Sequence, residues 1–537
     1  MPNSNTSKTP SAQKPEYVTR FVKPARTEIK HIGQNWYLYE RLSRYDPEIK
    51  RSRKVSGKCL GKLTENGLVP TERRLRGAAD MKISDTVDAG TAAFYWHRTA
   101  QMRQRLAKHF PDLWQWIYTT AIIRASQECR FRRLGVLYEN SLLAYMYPAL
   151  LYSPSAVSSM LDLLGRRRDQ ITAYMKEDVS NSGRFVLFDG HRLVTASRTM
   201  ELAEKGYDSK RRFMPQTNLI YVYSLSGSIG APVYYKQFVG STPDVVAFSD
   251  ILQESGLEGS DYTVIADKGF GSEEDFQLMD ELKLRHIIPL KRGNRFIDGK
   301  VPASPGQYQH CFTYHGRAIL SSVFEQDGIA IHLYYDAQLY ADETADVVAR
   351  MEKRNNTNAR RAELETRRRS KGERRLSDEE FAKLTPQGVA DIYTDGNQMG
   401  TVTIRTNRTD LNSEQVYVAY KQRQAIEQYF KMYGNSMDFE ASYMRNRTDQ
   451  EAWLFLNHLS AAIGISVIED LGQIEEGKNV SFNDLNAALA RITASKIGKE
   501  WQIAPVKKAT CNILNKVGFN IQDENIENLL KQASRAE

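Results

Sequence analysis

An α/β fold is what the middle of this sequence predicts, and three observations carry that reading. Two short apolar runs bounded by turn residues, Arg184-Phe-Val-Leu-Phe-Asp189 and Tyr262-Thr-Val-Ile-Ala-Asp267, have the pattern of buried strands. Between them, Leu219-Ile-Tyr-Val-Tyr223 and Pro232-Val-Tyr-Tyr235 form a hairpin pattern around Gly227 and Gly230. Helical stretches at Val245–Leu252 and Glu273–Leu284 flank the second run, and His286-Ile-Ile-Pro-Leu290 reads as a last strand. Strand, hairpin, helix, strand, helix, strand is an order that one sheet with covering helices can accommodate. Periodicity alone does not choose among the α/β folds.

Each apolar run closes on an aspartate, so Asp189 and Asp267 are expected to emerge at strand ends. A third acid, Glu427, sits in a helical stretch behind Tyr420 and Arg423 and ahead of Lys431. An aspartate closing a strand is commonly just a turn or helix cap. Two carboxylates from neighbouring strands and a third from a helix can also hold two Mg²⁺ ions about 3.5–4 Å apart, which suits phosphodiester chemistry.

The helix carrying Glu427 is announced by Asn412-Ser-Glu-Gln415, a capping-box pattern with Asn in the cap position. At about 100° per residue, Tyr420, Arg423, Glu427 and Lys431 share one face. Val418, Ala425 and Tyr429 fall opposite and are expected to pack on the sheet. An arginine grips a phosphate through two parallel hydrogen bonds and a tyrosine adds one more. The plain alternative for Arg423 and Glu427 is an i,i+4 surface ion pair.

Taken together, these motifs resemble those of the DDE transposases of bacterial insertion sequences, in the subgroup with a Tyr-x2-Arg-x3-Glu-x6-Lys signature. Tyr420, Arg423 and Glu427 match its first three positions; Gly434 stands at the lysine position, and Lys431, one turn from Glu427, is the nearest substitute. Asp189-Gly190 is similar to the family's first motif, with His191 where a threonine is usual, and Asp267-Lys-Gly-Phe270 to its second. The segment Arg405-Thr-Asn-Arg408 also resembles the family just ahead of the catalytic helix. The resemblance spans roughly residues 180–470. It implies an RNase H-like mixed sheet with helices, interrupted by a largely β insertion and flanked by a small basic N-terminal module and helical regions.

Spacing agrees with an interruption. Asp189 and Asp267 are 78 residues apart, but Asp267 and Glu427 are separated by 160, too many for one strand and a connection. Residues of about 296–340 alternate as strands do, as in Ile329-Ala-Ile-His-Leu-Tyr-Tyr335, and 342–384 read as a long exposed helix rich in Ala, Glu and Arg. In the resembling family an insertion here helps grip the transposon end, in some members with a Trp that holds a flipped base. No Trp occurs between Trp116 and Trp453, so that role would pass to a Tyr or Phe.

The formal charge is +9, and residues 1–80, with 17 Lys/Arg against 8 Asp/Glu, account for an excess of the same size. Such an arm can neutralise phosphates without reading sequence. Trp36–Arg41 and Lys54–Gly61 read as short strands of a basic module, while residues 1–20 read as a solvated tail. Residues 90–180 look helical throughout. Leu454–Ile468 is apolar but broken by Asn457, His458 and Gly464, a buried helix and not a membrane span. Four widely spaced cysteines, at 59, 129, 311 and 511, argue against a zinc finger or a disulfide scaffold and fit a reducing cytoplasm, with no signal peptide evident. No P-loop and no His-x-x-Arg occurs, which removes a nucleotide hydrolase and a tyrosine recombinase from consideration.

The expected organisation is a basic arm and β module at 1–85, a DNA-contacting helical region at 86–180 and a catalytic core at 181–295 and 405–475. An insertion subdomain occupies 296–404 and a helical unit 476–537. The expected function is cleavage of the element's ends and transfer of the 3′-hydroxyl to target DNA. Asp189, Asp267 and Glu427 would serve as catalytic metal ligands, with Tyr420, Arg423 and Lys431 on DNA. Two Mg²⁺ ions (Mn²⁺ an expected substitute) and a homodimer assembled on nucleoid DNA complete the expectation. The competing readings are a nuclease on the same core that never joins, and a non-catalytic DNA-binding relative.

Overall fold

In the computed structural model, the described residues are 14–46, 50–70, 83–127, 129–207, 212–226, 229–257, 261–386, 388, 398–423, 441–474, 479–521 and 524–535. The chain divides into two compact units, residues 1–84 with 497–499, and residues 85–496 with 500–537.

In the first unit a short helix, Glu16–Arg20 (α1), precedes strands Thr27–Ile32 (β1), Asn35–Asp46 (β2), Arg51–Thr64 (β3) and Gly67–Pro70 (β4). They form an antiparallel meander in chain order. Among the described residues, Trp36, Leu38 and Leu63, together with Val18 of α1, are its buried hydrophobic side chains. The strands run well beyond the short ones expected. Towards the tip of the β2–β3 hairpin Leu42, Tyr45 and Val55 are exposed.

The second unit begins within Ile83–Asp88 (β5), at Asp85, and continues with the helices Gly90–Arg98 (α2), Ala100–His109 (α3), Trp114–Ser126 (α4), Leu134–Glu139 (α5), Leu143–Met146 (α6), Pro154–Gly165 (α7) and Arg168–Ser180 (α8). Then come Phe185–Thr195 (β6), Glu204–Tyr207 (β7), Phe213–Ser226 (β8), Ile229–Phe238 (β9), Asp244–Ser255 (α9), Thr263–Ile265 (β10), Glu273–Glu281 (α10) and Arg285–Pro289 (β11). β6, β8 and β9 pair antiparallel, and β6, β10 and β11 pair parallel. A parallel strand needs a crossover, which α9 and α10 supply. The result is a mixed α/β arrangement.

The sheet departs from expectation in two places. β6 does not stop at residue 189; it continues six residues further because β8 keeps pairing with it, through Val194↔Gln216. The second place lies after residue 296, where the strands of the insertion are continuous with the central sheet. His310–Tyr314 (β12), Arg317–Gln326 (β13) and Ile329–Asp336 (β14) make a meander whose last strand pairs with Thr401–Thr406 (β15). β15 in turn pairs antiparallel with β11, so the insertion extends the central sheet edge to edge. Open strand edges attract further strands, and an added meander is one way to cover the β11 edge. The long helix expected at 342–384 is present as Ala337–Arg369 (α11), followed by Asp378–Ala382 (α12).

After β15 a helix is described over 413–423 (α13), then Ala441–Ser442 (β16) beside the end of β6. Arg447–Gln473 (α14) follows. It is apolar and long enough to cross a membrane, but 83% of its most apolar window is buried inside the protein. The region from 476 onward is not purely helical. Between Phe482–Leu489 (α15) and the helices Lys508–Lys516 (α16) and Ile526–Arg535 (α17) lie strands Thr493–Ile497 (β17) and Glu500–Ile503 (β18). Ser495 of β17 bonds Thr86 of β5 side chain to side chain at 2.9 Å. A strand whose partner lies about 400 residues away leaves little local trace.

α14 is the member around which the second unit packs, and several of its buried polar groups are paired across to other elements. Arg124 of α4 reaches Asn457 twice, at 3.1 and 2.7 Å. Gln450 donates to Thr217 and Gln237, each at 3.1 Å, and Ser460 to the Ala121 carbonyl. At Gly165 of α7 a Cβ would lie 1.9 Å from the Thr448 carbonyl, so only glycine permits this approach. Glu451 ties three elements together: it accepts from Arg168 (2.7 Å), Tyr235 (2.8 Å) and Gln237 (2.6 Å). Arg168 also bonds Glu254 at 3.0 Å, and Lys236 and Tyr234 bond the same carboxylate. Burial opposes the charge on Glu254, but these three partners outweigh it and lower its pKa to about 2. Removing one partner of such a set strands the other in low dielectric. Glu451→Ala is therefore expected to lower unfolding free energy by about 3 kcal/mol, read from urea denaturation.

His286, His458 and His332 are buried and held neutral, their pKa values lowered to about 3, 3 and 4 mainly by burial. Because each folded value lies below the unfolded one near 6.5, the unfolded chain takes up protons first. The stability these residues contribute is thus full above that pH and declines as pH falls toward the folded values. Neither ring nitrogen of His458 has a hydrogen-bond partner among the described residues. His458→Leu is expected to flatten the loss of stability between about pH 6 and 4, by up to about 1.4 kcal/mol per pH unit. Urea midpoints at several pH values would check this, and an unchanged slope would refute it.

Candidate active site

The parallel pairing of β6 with β10 sets the register Phe185↔Thr263, Val186↔Val264 and Leu187↔Ile265. Asp189 and Asp267 each stand two residues past the last of these pairs, at matched positions. Side chains two apart on a strand share a face, and neighbouring strands lie about 4.8 Å apart. The two carboxylates are therefore delivered to one place by the backbone alone.

Local packing holds both. Phe188 and Phe270 are buried against Phe248, ring centroids 4.8 and 5.2 Å away. Asp267 turns the chain out of β10 by capping the 3-10 turn Lys268–Phe270, accepting from the Lys268 amide at 2.7 Å. It thus fills the humble capping role as well as lining the site. Tyr223 lies buried close enough for Asp189 to act on it; burial first and the Asp189 charge second hold its phenol protonated, well above the ordinary value.

The third element is α13. Its expected capping box is present: the Asn412 amide donates to Gln415 Oε1 at 3.0 Å, and the Gln415 amide to Asn412 Oδ1 at 2.9 Å. β14 anchors the same turn, through His332 Nδ1 to Ser413 Oγ at 3.0 Å and Tyr334 OH to the Ser413 carbonyl at 2.7 Å. Of the face expected to pack, Ala425 and Tyr429 lie outside the described residues, and within 413–423 a different face is the more buried. Val416, Tyr417 and Ala419 are buried while Val418 is only half-buried. Val416, Ala419, Tyr420 and Arg423 fall within about 100° of one another, so the face bearing Arg423 turns inward.

Arg423 explains the rotation. Its Nη1 donates to Asp267 Oδ1 at 2.9 Å, and its Nη2 lies 3.7 Å from Asp189 Oδ1. One guanidinium, 14% exposed, spans both carboxylates. Tyr420 is partly buried against the main core. The structure brings together Asp189, Asp267 and Arg423; Glu427, Lys431 and Gly434 lie outside the described residues.

The segment between β15 and α13 has a role that sequence reasoning noticed without assigning. Asn407 accepts from the His286 amide at 2.8 Å and donates to the Leu284 carbonyl at 3.1 Å. Arg408 donates to Thr263 Oγ1 at 2.7 Å while paired twice with Asp410. These bonds tie the approach to α13 to the starts of β10 and β11, at the opposite end of those strands from the carboxylates. Polar residues clustered just before a cap were the available signal.

The donor set is hard oxygen chemistry, of the kind that takes Mg²⁺ or Mn²⁺. Arg423 already occupies the place between the two carboxylates as a monovalent cation, evidence that positive charge is stabilised there. Two carboxylates are short of a full ligand set. Among the described residues no group of three His, Cys, Asp or Glu is placed to hold a metal. A third ligand would have to come from elsewhere, and the Asp189–Asp267 pair fits such a group as far as it goes.

Paired acids at adjacent strand positions, faced by a helix, define a carboxylate site on an α/β sheet. Residues 180–463, more than half of the chain, match the family described as Transposase DDE domain, and the chain belongs to that family. A solved piggyBac transposase synaptic complex with hairpin DNA aligns over 79% of this chain and 76% of its own, at 8% identity and a TM-score of 0.37. That likeness is too slight to argue from. No curated protein matches the chain.

Asn407→Ala would leave the His286 amide and Leu284 carbonyl without this partner. It is expected to cost about 1–3 kcal/mol of stability, measured by urea unfolding.

Proposed function

We propose that this transposase belongs to the bacterial insertion-sequence subgroup carrying the Tyr-x2-Arg-x3-Glu signature. It cuts the phosphodiester at the element's ends and joins the freed 3′-hydroxyl to target DNA. The observation that carries the proposal is the meeting of Asp189 and Asp267 at matched positions on parallel strands, both held by Arg423. The strand order β9-β8-β6-β10-β11, antiparallel and then parallel, supports reading the core as RNase H-like.

The cofactor assigned to the site is a pair of Mg²⁺ ions, replaceable by Mn²⁺. When bound they supply a nucleophile at neutral pH and stabilise the leaving oxygen. Asp189, Asp267 and Glu427 are the residues that would hold them. Arg423 neutralises two carboxylates that would otherwise repel each other across a short distance. Once those carboxylates are otherwise engaged, its planar donors suit a phosphate, with Tyr420 and Lys431 beside it on the same helix. Water is the nucleophile of the first displacement and the 3′-hydroxyl of the second, so no protein side chain is esterified to DNA. Cutting and joining two ends in concert implies a homodimer assembled on DNA, acting in the cytoplasm.

The test is cleavage and joining of DNA carrying the gene's flanking inverted repeats, with Mg²⁺. Asp189→Ala, Asp267→Ala and Glu427→Gln are each expected to fall below about a thousandth of wild-type cleavage, with DNA affinity largely kept. Undiminished cutting by any one removes that residue from the site. Cutting that never yields joined product would make the protein a nuclease. Binding without either reaction would make it a silent DNA-binding relative.

A further inference from the structure

α11 carries a regular charge pattern that the catalytic site does not use. Basic doublets recur every seven residues, at Lys353-Arg354, Arg360-Arg361 and Arg367-Arg368. Seven residues are close to two helical turns, so the doublets stack on one face at intervals of about 10.5 Å. Of the acids of this stretch, Glu352 and Glu363 flank the row on one side and Glu365 on the other, about 20–60° from its nearest members at 100° per residue, and Glu365 is buried.

One flank of the row packs: Asn358 and Glu365 are buried about 20–40° round the helix from Arg354, whereas Lys353, Arg354, Arg360, Arg361 and Arg367 are exposed and Arg368 is half-buried. Arg367 pairs with Glu363 at 2.6 Å. Lys353, Arg354, Arg360, Arg361 and Arg368 make no ion pair among the described residues, though Arg361 acts on Glu380 from further away. Like charges stacked along a helix face cost stability. A merely solvated face would be better served by mixing signs, as the i,i+4 pair Arg350–Asp346 does nearer the helix start.

The helix is also held still. Asp336 caps its first turn, accepting from the amides of Gln338 (2.9 Å) and Leu339 (3.3 Å), and pairs with Arg317 at 3.1 Å. Glu343 is gripped by Arg292 and by the Gly400 amide. At the far end Glu365 accepts from the amides of Arg375 and Leu376, both at 3.0 Å, and Arg369 pairs with Asp378 over the Phe381 ring. A fixed row of cations is a preorganised partner for a polyanion of regular spacing.

We propose that this face of α11 is a docking surface for the phosphate backbone of duplex DNA, gripping it without reading sequence. From Lys353 to Arg368 the row covers about 22 Å, some six base pairs at 3.4 Å each. The inference rests on the reading that the chain acts on DNA, and names a surface for it apart from Asp189, Asp267 and Arg423.

The experiment is fluorescence anisotropy of the full chain on a 30-base-pair duplex of arbitrary sequence, in EDTA, from 50 to 300 mM KCl. The stripe variant is R354Q/R360Q/R361Q/R368Q, glutamine being a good helix former. The control K507Q/K508Q/K516Q/K531Q removes the same charge from exposed positions elsewhere, and thermal unfolding confirms that both variants fold. Four lost phosphate contacts should reduce the slope of log affinity against log salt by about 3 to 4, with affinity at 100 mM at least tenfold weaker for the stripe variant and little changed for the control. Equal losses in both variants, or none in the stripe variant, would overturn the proposal while leaving the DNA reading intact. A change in self-association with DNA binding preserved would assign the face to a second copy and overturn it too. Failure of the wild type to bind any duplex would instead bring down the DNA reading itself.

Discussion

The parallel register between β6 and β10 is the constraint on which the site depends. Three backbone pairs, from Phe185↔Thr263 to Leu187↔Ile265, place Asp189 and Asp267 side by side. A slip of one residue would send one carboxylate to the opposite face of the sheet and strip the core of its apolar side chains. Val186, Leu187, Val264 and Ile265 are all fully buried, so the hydrophobic effect enforces the same register that the chemistry needs. Core packing and site geometry are here one condition.

Two like charges held this close carry a cost, and α13 meets it with Arg423. The inward turn of that helix face is an electrostatic choice made in the tertiary structure. The helix itself is placed by ordinary means, a capping box at Asn412 and Gln415 and two bonds to Ser413 from β14. The inserted meander thus acts on the site through β14, which sits in the same sheet as the acidic strands and carries the bonds that start α13.

α14 offers a different solution to burying charge. Arg168, Glu254 and Glu451 are taken from water as a connected set with Tyr234, Tyr235, Lys236 and Gln237, so no member is left alone. Burial works against the charge on Arg168, but Glu451, the two tyrosines and Glu254 outweigh it and raise its pKa. The network joins α8, β9, α9 and α14, making the helical layer and the sheet a shared structure. Its polar partners demand particular geometry where an apolar interface would tolerate sliding.

What the sequence by itself determined was local. The apolar runs before Asp189 and Asp267, the hairpin of β8 and β9, the cap at Asn412 and the long helix α11 all follow from patterns within a few residues, because periodicity and capping are short-range physics. That Asp189 and Asp267 deserved notice was legible for the same reason. The tertiary structure decided what depends on distant partners. β6 runs on past Asp189 because β8 pairs with it, and the insertion joins the central sheet because the edge of β11 accepts β15. Strands appear after residue 490 because β17 packs beside β5, and α13 shows its Arg423 face inward because two carboxylates from other strands wait there. Hydrogen-bond pairing between strands and attraction between charges act across space irrespective of chain separation, and no window along the sequence contains both partners.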